Sequence, residues 1–336
     1  MSNNWSVLLP EKIHDVGPES IADFAKFTSV SKNNRNPGEL RSRISEFDAI
    51  ILRHAKLTKK VIENADNLKV IAKHGAGLDN VDIETASRKN IIVCNTPGIN
   101  SRAVAEHTVT LMMAIRRNLL LADQNVRNGK WSDVQTDWDR FSRSEVQNDV
   151  VGLFAFGNVA EEVAKLVTGL GMKCIAYDPY VDDEALPDTV DGVDNKETLF
   201  NRSDVVSIHT PLTEETRHSV SSAEFHALGE DGIIINTARG AIIDQNALVS
   251  ALDQETILGA GLDVLEEEPP SEDHPLFDNE RVILTPHLGG LSNEATYNAS
   301  LRAAENVRSV FEGKFRTQQL IGKHSKKSGH NTLSSP

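Results

Sequence analysis

Cysteine is scarce: Cys94 and Cys174 are the only two in 336 residues. They lie at no metal-ligand spacing, which excludes a disulfide-stapled scaffold and a cysteine zinc site. Positive charge is also short, with 35 Lys and Arg against 49 Asp and Glu and a formal net charge of −14. Nucleic-acid binders draw much of their affinity from neutralising phosphates, so this balance argues against them. No apolar run reaches membrane-spanning length. The first residues, MSNNWSVLLPEK, lack the basic start and long apolar core of a signal peptide. No repeat of solenoid period is present. What remains is 39% hydrophobic and 25% charged, an ordinary globular composition with chain enough for about two domains. A cytoplasmic enzyme is the expectation.

The stretch from Gln147 to Tyr180 organises the rest. An apolar run, Val150 to Phe156, suits a strand buried on both faces of a parallel sheet. A tight turn at Gly157-Asn158 follows. Val159, Val163, Leu166, Val167 and Leu170 then recur at helical spacing, and Gly171 stops the helix. A second strand, Met172 to Tyr177, ends on Asp178. Strand, glycine turn, helix, strand and terminal acid make a dinucleotide-binding unit. Gly157, Asn158 and Val159 would offer the helix N-terminus to a pyrophosphate. Asp178 would accept from ribose hydroxyls and disfavour a 2′-phosphate, so NAD is expected over NADP. The bland alternative is a βαβ unit that binds no nucleotide.

The glycine pattern has gaps. Its spacing asks for glycine at 155, 157 and 160, and the residues are Ala155, Gly157 and Ala160. If position 155 takes a positive φ, alanine there is strained; at ordinary strand angles it is harmless. Glu161 and Glu162 add two negative charges beside the phosphate position.

Around this unit the chain alternates strands and helices, the pattern of a parallel sheet covered on its faces. Before it, strands are expected at Trp5–Leu9, Ala49–Leu52, Leu68–Ala72 and Ile91–Asn95. Helices are expected around Glu19–Phe27, Glu39–Ile44, Thr58–Ala65 and Asp82–Arg88. The loop His74–Asp79 carries two glycines whose backbone could hold a small anion, or could be a plain strand-to-helix turn. A helix with an apolar stripe begins at Ser101. Trp131 and Trp138 flank a polar connection or arm.

Beyond Tyr180, strands are expected at Val205–His209, Gly232–Asn236, Ile257–Val264 and Val282–Thr285. Helices are expected over Asp244–Leu252 and from Asn293 to about Phe311, and the polar end at 323–336 reads as a disordered tail. Arg239, Glu268 and His287 fall just past expected strands, on the rim where such sheets hold ligands. Each alone could be an ordinary surface or turn residue. Together they suit reduction of a 2-oxo acid. An arginine can grip a carboxylate bidentately, a histidine can move a proton near neutral pH, and a carboxylate can orient it.

Six further motifs carry a resemblance. They are KHGAGLDNVD at Lys73–Asp82, NTPGINSRAVAEH at Asn95–His107, HTPLTEETRH at His209–His218, INTARGAIID at Ile235–Asp244, GAGLDVLEEEPP at Gly259–Pro270 and TPHLGG at Thr285–Gly290. With the central βαβ unit, the chain resembles the D-isomer-specific 2-hydroxyacid dehydrogenase family, in its phosphoglycerate dehydrogenase-like and hydroxypyruvate reductase-like branch. That resemblance implies an α/β fold of two doubly wound parallel sheets. A Rossmann NAD domain at 100–289 would be inserted into a flavodoxin-like substrate domain at 1–99 and 290–322. It implies Arg239 as the substrate-binding cation, His287 as the acid/base and Glu268 as its partner. It gives Gly75, Ala76 and Gly77 backbone contacts to the substrate carboxylate. Asp178 would take ribose, Asp263 the nicotinamide carboxamide, and Thr210 and Ala238 would line the cofactor. The implied ligands are NAD and a small 2-oxo or 2-hydroxy acid, with a homodimer built around the helix after Asn100 and no metal, nucleic acid or membrane. The alternative is a dinucleotide-sensing, catalytically weak binding protein on the same fold. The family normally has glycine where Ala155 and Ala160 stand, and often arginine where Glu161 stands.

Overall fold

The computed structural model describes residues 4–30 and 37–314. The chain divides between Ile99 and Asn100, and again between Ala295 and Thr296, into two compact units. The second division falls inside the closing helix, Asn293–Phe311. The expected tail at 323–336 lies outside the described residues.

The first unit holds five strands: β1 Trp5–Leu9, β2 Ala25–Ser29, β3 Ala49–Leu52, β4 Val70–Lys73 and β5 Ile92–Cys94. All pair in parallel, in the order β2-β1-β3-β4-β5, the flavodoxin-like winding. Its helices are α1 Val16–Ser20, α2 Pro37–Arg43, α3 Lys59–Ile62 and α4 Ile83–Arg88, with the closing helix from Thr296 onward. Successive side chains of β3 point to opposite faces. Ile50 and Leu52 pack with Leu40, Ile44, Val61 and Ile62. Ala49 and Ile51 pack with Ala303, Ala304 and Val307 of the closing helix. Both faces are covered, which is why AIIL reads as an unbroken apolar run.

One expectation fails here. The helix around Glu19–Phe27 ends by Ser20, and Ala25–Ser29 is a strand. Its burial alternates poorly because it is the sheet edge, paired only with β1 from Trp5↔Ala25 to Leu9↔Ser29. Non-local pairing overrides the helical spacing of Ile21 and Phe24.

The second unit opens with α5 Ser101–Arg116, followed by α6 Leu119–Arg127, α7 Trp131–Thr136 and α8 Trp138–Phe141. The polar arm expected around the tryptophans is thus a chain of short helices. Next come β6 Val150–Phe154, α9 Asn158–Gly169, β7 Lys173–Tyr177, β8 Val190–Gly192, α10 Lys196–Asn201 and β9 Val205–Ile208. The unit continues with α11 Ser222–Leu228, β10 Ile233–Asn236, α12 Gln245–Asp253, β11 Gly259–Leu262 and β12 Val282–Leu284. The seven strands are parallel in the order β12-β11-β10-β9-β6-β7-β8, a Rossmann winding whose order reverses between β6 and β9. α9 ends in a Schellman closure around Gly171, with Gly171 N–H on Thr168 O and Met172 N–H on Val167 O.

The register of this sheet positions the site. Phe154 pairs with Tyr177 and with Ile208, Ile208 with Asn236, Asn236 with Leu262, and Leu262 with Leu284. The first residues beyond that row are therefore Ala155, Asp178, His209, Thr237, Asp263 and Thr285. One rim gathers them from six strands.

Candidate active site

On the β6 side of the rim, the strand stops at Phe154, two residues short of the apolar run. The cause is Ala155, whose φ is 74°. Two hydrogen bonds hold it there: its own N–H donates to Tyr177 O at 2.8 Å, and Phe156 N–H donates to Asp178 Oδ2 at 2.9 Å. Asp178 Oδ1 accepts from Tyr180 N–H at 2.9 Å. Asp178 therefore braces the turn, and each of its oxygens keeps a lone pair for a further donor.

α9 starts directly after Gly157, with no side-chain cap. Its first-turn N–H groups thus remain available to an anion. Nothing lies within 4 Å of where a Gly157 Cβ would stand, so a ligand has room to approach the backbone. Ala160 is fully buried in the core under α9, a place for a small residue. The two acids beside the turn are already paired. Lys165 Nζ lies 2.8 Å from both Glu161 Oε1 and Glu162 Oε1, and Arg102 lies 3.4 Å from Glu162 Oε2. This cradle fits a dinucleotide pyrophosphate and ribose.

Arg239, Glu268 and His287 all belong to the second unit. Asn236, wholly buried, shapes the Arg239 turn: its Nδ2 donates to Arg239 O at 2.9 Å and its Oδ1 accepts from Ala238 N–H at 3.0 Å. Gly240 is required next to Arg239 because the backbone of Leu265 crosses there; a Cβ would stand 1.9 Å from Leu265 C. That crossing brings the Glu268 loop to the arginine. Glu268 Oε1 accepts from Leu265 N–H at 3.2 Å, and Glu268 Oε2 lies 2.7 Å from His287 Nδ1. Burial pushes the Glu268 carboxyl up. The hydrogen bond and charge of His287, the Leu265 N–H and the charge of Arg239 outweigh it and hold the carboxyl below its ordinary value. The contact at Nδ1 lets Glu268 orient the His287 ring.

His287 itself has a φ of 55°, a left-handed conformation that needs support. Asp263 supplies it. Asp263 O accepts from His287 N–H at 2.8 Å, Oδ1 from Leu288 N–H at 2.8 Å, and Oδ2 from Gly289 N–H at 2.7 Å. The Thr285 hydroxyl donates to Asp263 Oδ1 at 2.6 Å, so it accepts from His107 Nε2 at 2.9 Å. Burial raises the Asp263 carboxyl, but these donors together lower it. Asn236, Thr285 and His107 were not singled out from the sequence. His107 stood there only as the last residue of the AEH motif on α5. Thr210 is buried at the rim beside β9, and Ala238 lies partly buried in the Arg239 turn.

Gly75, Ala76 and Gly77 belong to the first unit. Gly75 and Thr96 exchange two hydrogen bonds, Gly75 N–H to Thr96 Oγ1 and Thr96 N–H to Gly75 O, each 2.9 Å. Asn95 Nδ2 donates to Ala76 O at 2.7 Å. No described residue accepts from the N–H groups of Ala76 and Gly77. Among the described residues no cluster of His, Cys, Asp and Glu could hold a metal ion, and no helix is long and apolar enough to cross a membrane.

Known proteins resemble this chain over most of its length. The family model for the D-isomer specific 2-hydroxyacid dehydrogenase NAD binding domain matches residues 109–289. The chain is 39% identical over 297 residues to a D-3-phosphoglycerate dehydrogenase of Methanocaldococcus jannaschii, covering 88% of this chain and 55% of that protein. It is 36% identical over 316 residues to a glyoxylate reductase of Thermococcus litoralis, covering 91% of this chain and 94% of the reductase. It thus spans about half of the first relative and nearly all of the second. Among solved structures, the NADPH-dependent glyoxylate/hydroxypyruvate reductase of Sinorhizobium meliloti, in complex with NADP and malonate, superposes with a TM-score of 0.80 at 25% identity, covering 96% of each chain. The winding of each sheet, the rim of the seven-stranded one and these likenesses have one reading: the chain belongs to the D-isomer-specific 2-hydroxyacid dehydrogenase family, and residues 109–289 match its NAD-binding domain.

Proposed function

We propose that this protein reversibly reduces a small 2-oxo acid of the glyoxylate, hydroxypyruvate or phosphohydroxypyruvate type with NADH. The observation that carries the reading is the 2.7 Å His287–Glu268 pair, with the charge of Arg239 acting on the same carboxylate. NADH, when bound at the α9 cradle, supplies a hydride. Arg239 grips the substrate carboxylate with its guanidinium fork and polarises the neighbouring carbonyl. His287, oriented through Nδ1 by Glu268, gives its outer proton to the carbonyl oxygen as it becomes a hydroxyl. Glu268 stabilises the imidazolium that must be present for that step. In the reverse direction the same histidine takes the proton back. The N–H groups of Ala76 and Gly77 are assigned to the substrate carboxylate, Thr210 and Ala238 to the cofactor wall, and Asp263 to the carboxamide through the lone pair left on Oδ2. Asp178 is assigned to the ribose hydroxyls, which favours NADH over NADPH. An intact Arg-Glu-His set favours this enzyme over a catalytically silent dinucleotide sensor.

A homodimer belongs to the same reading. α6, α7 and α8 contain no buried residue, and Leu119, Leu120, Trp131 and Trp138 are 57%, 53%, 63% and 76% exposed. Such a run of large apolar side chains suits a second copy of this chain; sedimentation as a monomer at micromolar concentration would contradict it. The cytoplasm, with its NADH supply and reducing conditions for two free buried thiols, is the compartment assigned.

The test is NADH oxidation over hydroxypyruvate, glyoxylate, pyruvate, phosphohydroxypyruvate and 2-oxoisocaproate, with Arg239→Lys beside the parent. Turnover of at least one acid is expected, with most of it lost in Arg239→Lys while NADH binding stays unchanged. A parent inactive on the whole panel, or an Arg239→Lys variant as active as the parent, refutes the assignment.

A further inference from the structure

His74 follows β4 and begins the loop of Gly75, Ala76 and Gly77. Its N–H continues the sheet by donating to Leu52 O at 2.9 Å, and its ring Nε2 lies 2.9 Å from Ser300 Oγ in the closing helix. Ser300 is wholly buried. Its hydroxyl donates to Thr296 O at 2.8 Å, one turn earlier in the same helix, and its oxygen accepts from His14 N–H at 2.9 Å. A hydroxyl has one proton, and Ser300 has given it to Thr296. His74 must therefore be the donor to Ser300, which fixes its proton on Nε2. Burial, helped by the charge of Arg53, pushes His74 down to about 4, so the ring is neutral at physiological pH.

The chain before α1 is shaped around the same point. A Cβ on Gly17 would stand 2.7 Å from Ser300 O, so only glycine lets the His14–Gly17 segment lie against the helix. Ser300 thus ties three parts of the first unit together: the chain leading into α1, the closing helix and the β4 loop. From the other side, Thr96 and Asn95 hold the carbonyls of Gly75 and Ala76, and Asn306 of the closing helix donates to Asn95 O at 3.2 Å. The loop is clamped at both flanks by a helix that lies far away in sequence. Between the clamps stand the Ala76 and Gly77 N–H groups, for which no described residue is an acceptor.

We propose that His74 and Ser300 are positioning residues for substrate binding: their hydrogen bond sets the loop so that the N–H groups of Ala76 and Gly77 meet the substrate carboxylate. This rests on the 2-oxo acid reading above. Neither side chain is assigned to the cofactor or to proton transfer, so loss of either should act on substrate affinity.

The experiment uses the full chain and the best substrate of the panel, with Ser300→Ala, His74→Phe and His74→Gln. Ser300→Ala and His74→Phe should raise KM for the acid roughly 10-fold, the scale of one lost hydrogen bond. Their kcat should stay within about twofold and the Kd for NADH unchanged. His74→Gln keeps an amide donor for Ser300 and should hold KM close to that of the parent. If Ser300→Ala fails to fold, the Gln–Phe contrast at position 74 decides alone. An unchanged KM in folded Ser300→Ala, or equal damage from Gln and Phe, overturns the inference while leaving the enzyme reading standing. A parent that reduces no 2-oxo acid overturns both.

Discussion

Glu268 has the chemistry of the site concentrated in it. Its carboxyl is lowered although burial alone would raise it, because His287 and Arg239 favour the ionised form. Reduction of an oxo acid needs a proton from the histidine, and Glu268 orients that ring through Nδ1 at 2.7 Å. Glu268→Gln should therefore lower turnover, and His287→Gln should cut it roughly 100- to 10,000-fold. Steady-state rates of parent and both variants check this; a Glu268→Gln variant as fast as the parent would break the proposed pairing. The same carboxyl contributes stability that is present above its unfolded value and is lost as pH falls through its lower folded value. Glu268 should therefore support folding near neutral pH and cease to do so in acid.

At the scale of the element, the β6–α9 turn holds the sharpest consequence. A non-glycine residue at φ 74° is strained, by about 1–2 kcal/mol relative to glycine. Whether that strain reaches the cofactor depends on whether the turn must keep this shape to bind. It must, because the hydrogen bonds at Ala155 and Phe156 set both the helix start and Asp178. Ala155→Gly should tighten NADH binding by roughly 5- to 30-fold. Glu161→Arg should add little, since Lys165 already neutralises the acid at 2.8 Å. Fluorescence titration of NADH measures both; an unchanged dissociation constant in Ala155→Gly would mean the strain is relieved elsewhere.

This turn also indicates what a sequence can reveal. The spacing marked 155 as a glycine position, and local geometry there is decided by residues one or two apart. The strand–helix rhythm was readable for the same reason, since β1, β3 and the closing helix follow from short-range periodicity. β2 was not, because it exists through pairing with β1. α11 could have been found from its capping box, Ser221 with Glu224. The roles of Asn236, His107 and Thr285 were hidden because they arise from contacts across the fold. His107 reaches Thr285 over 178 residues. Asp263 was read as a cofactor contact, and its hold on the His287 turn appears only once β11 and β12 are side by side.

At the scale of the whole molecule, two parallel sheets divide the labour. The seven-stranded sheet aligns six strand ends, so that the β6–α9 turn and the loop of His287 leave from one rim. The five-stranded sheet presents the Gly75–Gly77 loop and fastens it to the closing helix. Under the proposed function, hydride passes to C2 of a 2-oxo acid and yields the D-2-hydroxy acid. The most direct measurement follows deuterium from NADH labelled at C4 of the nicotinamide ring into the product, read by NMR with chiral analysis. Deuterium at C2 of the D-hydroxy acid, abolished in His287→Gln although NADH still binds, is the result predicted. Label confined to the cofactor, or an L-hydroxy acid as product, would contradict the account.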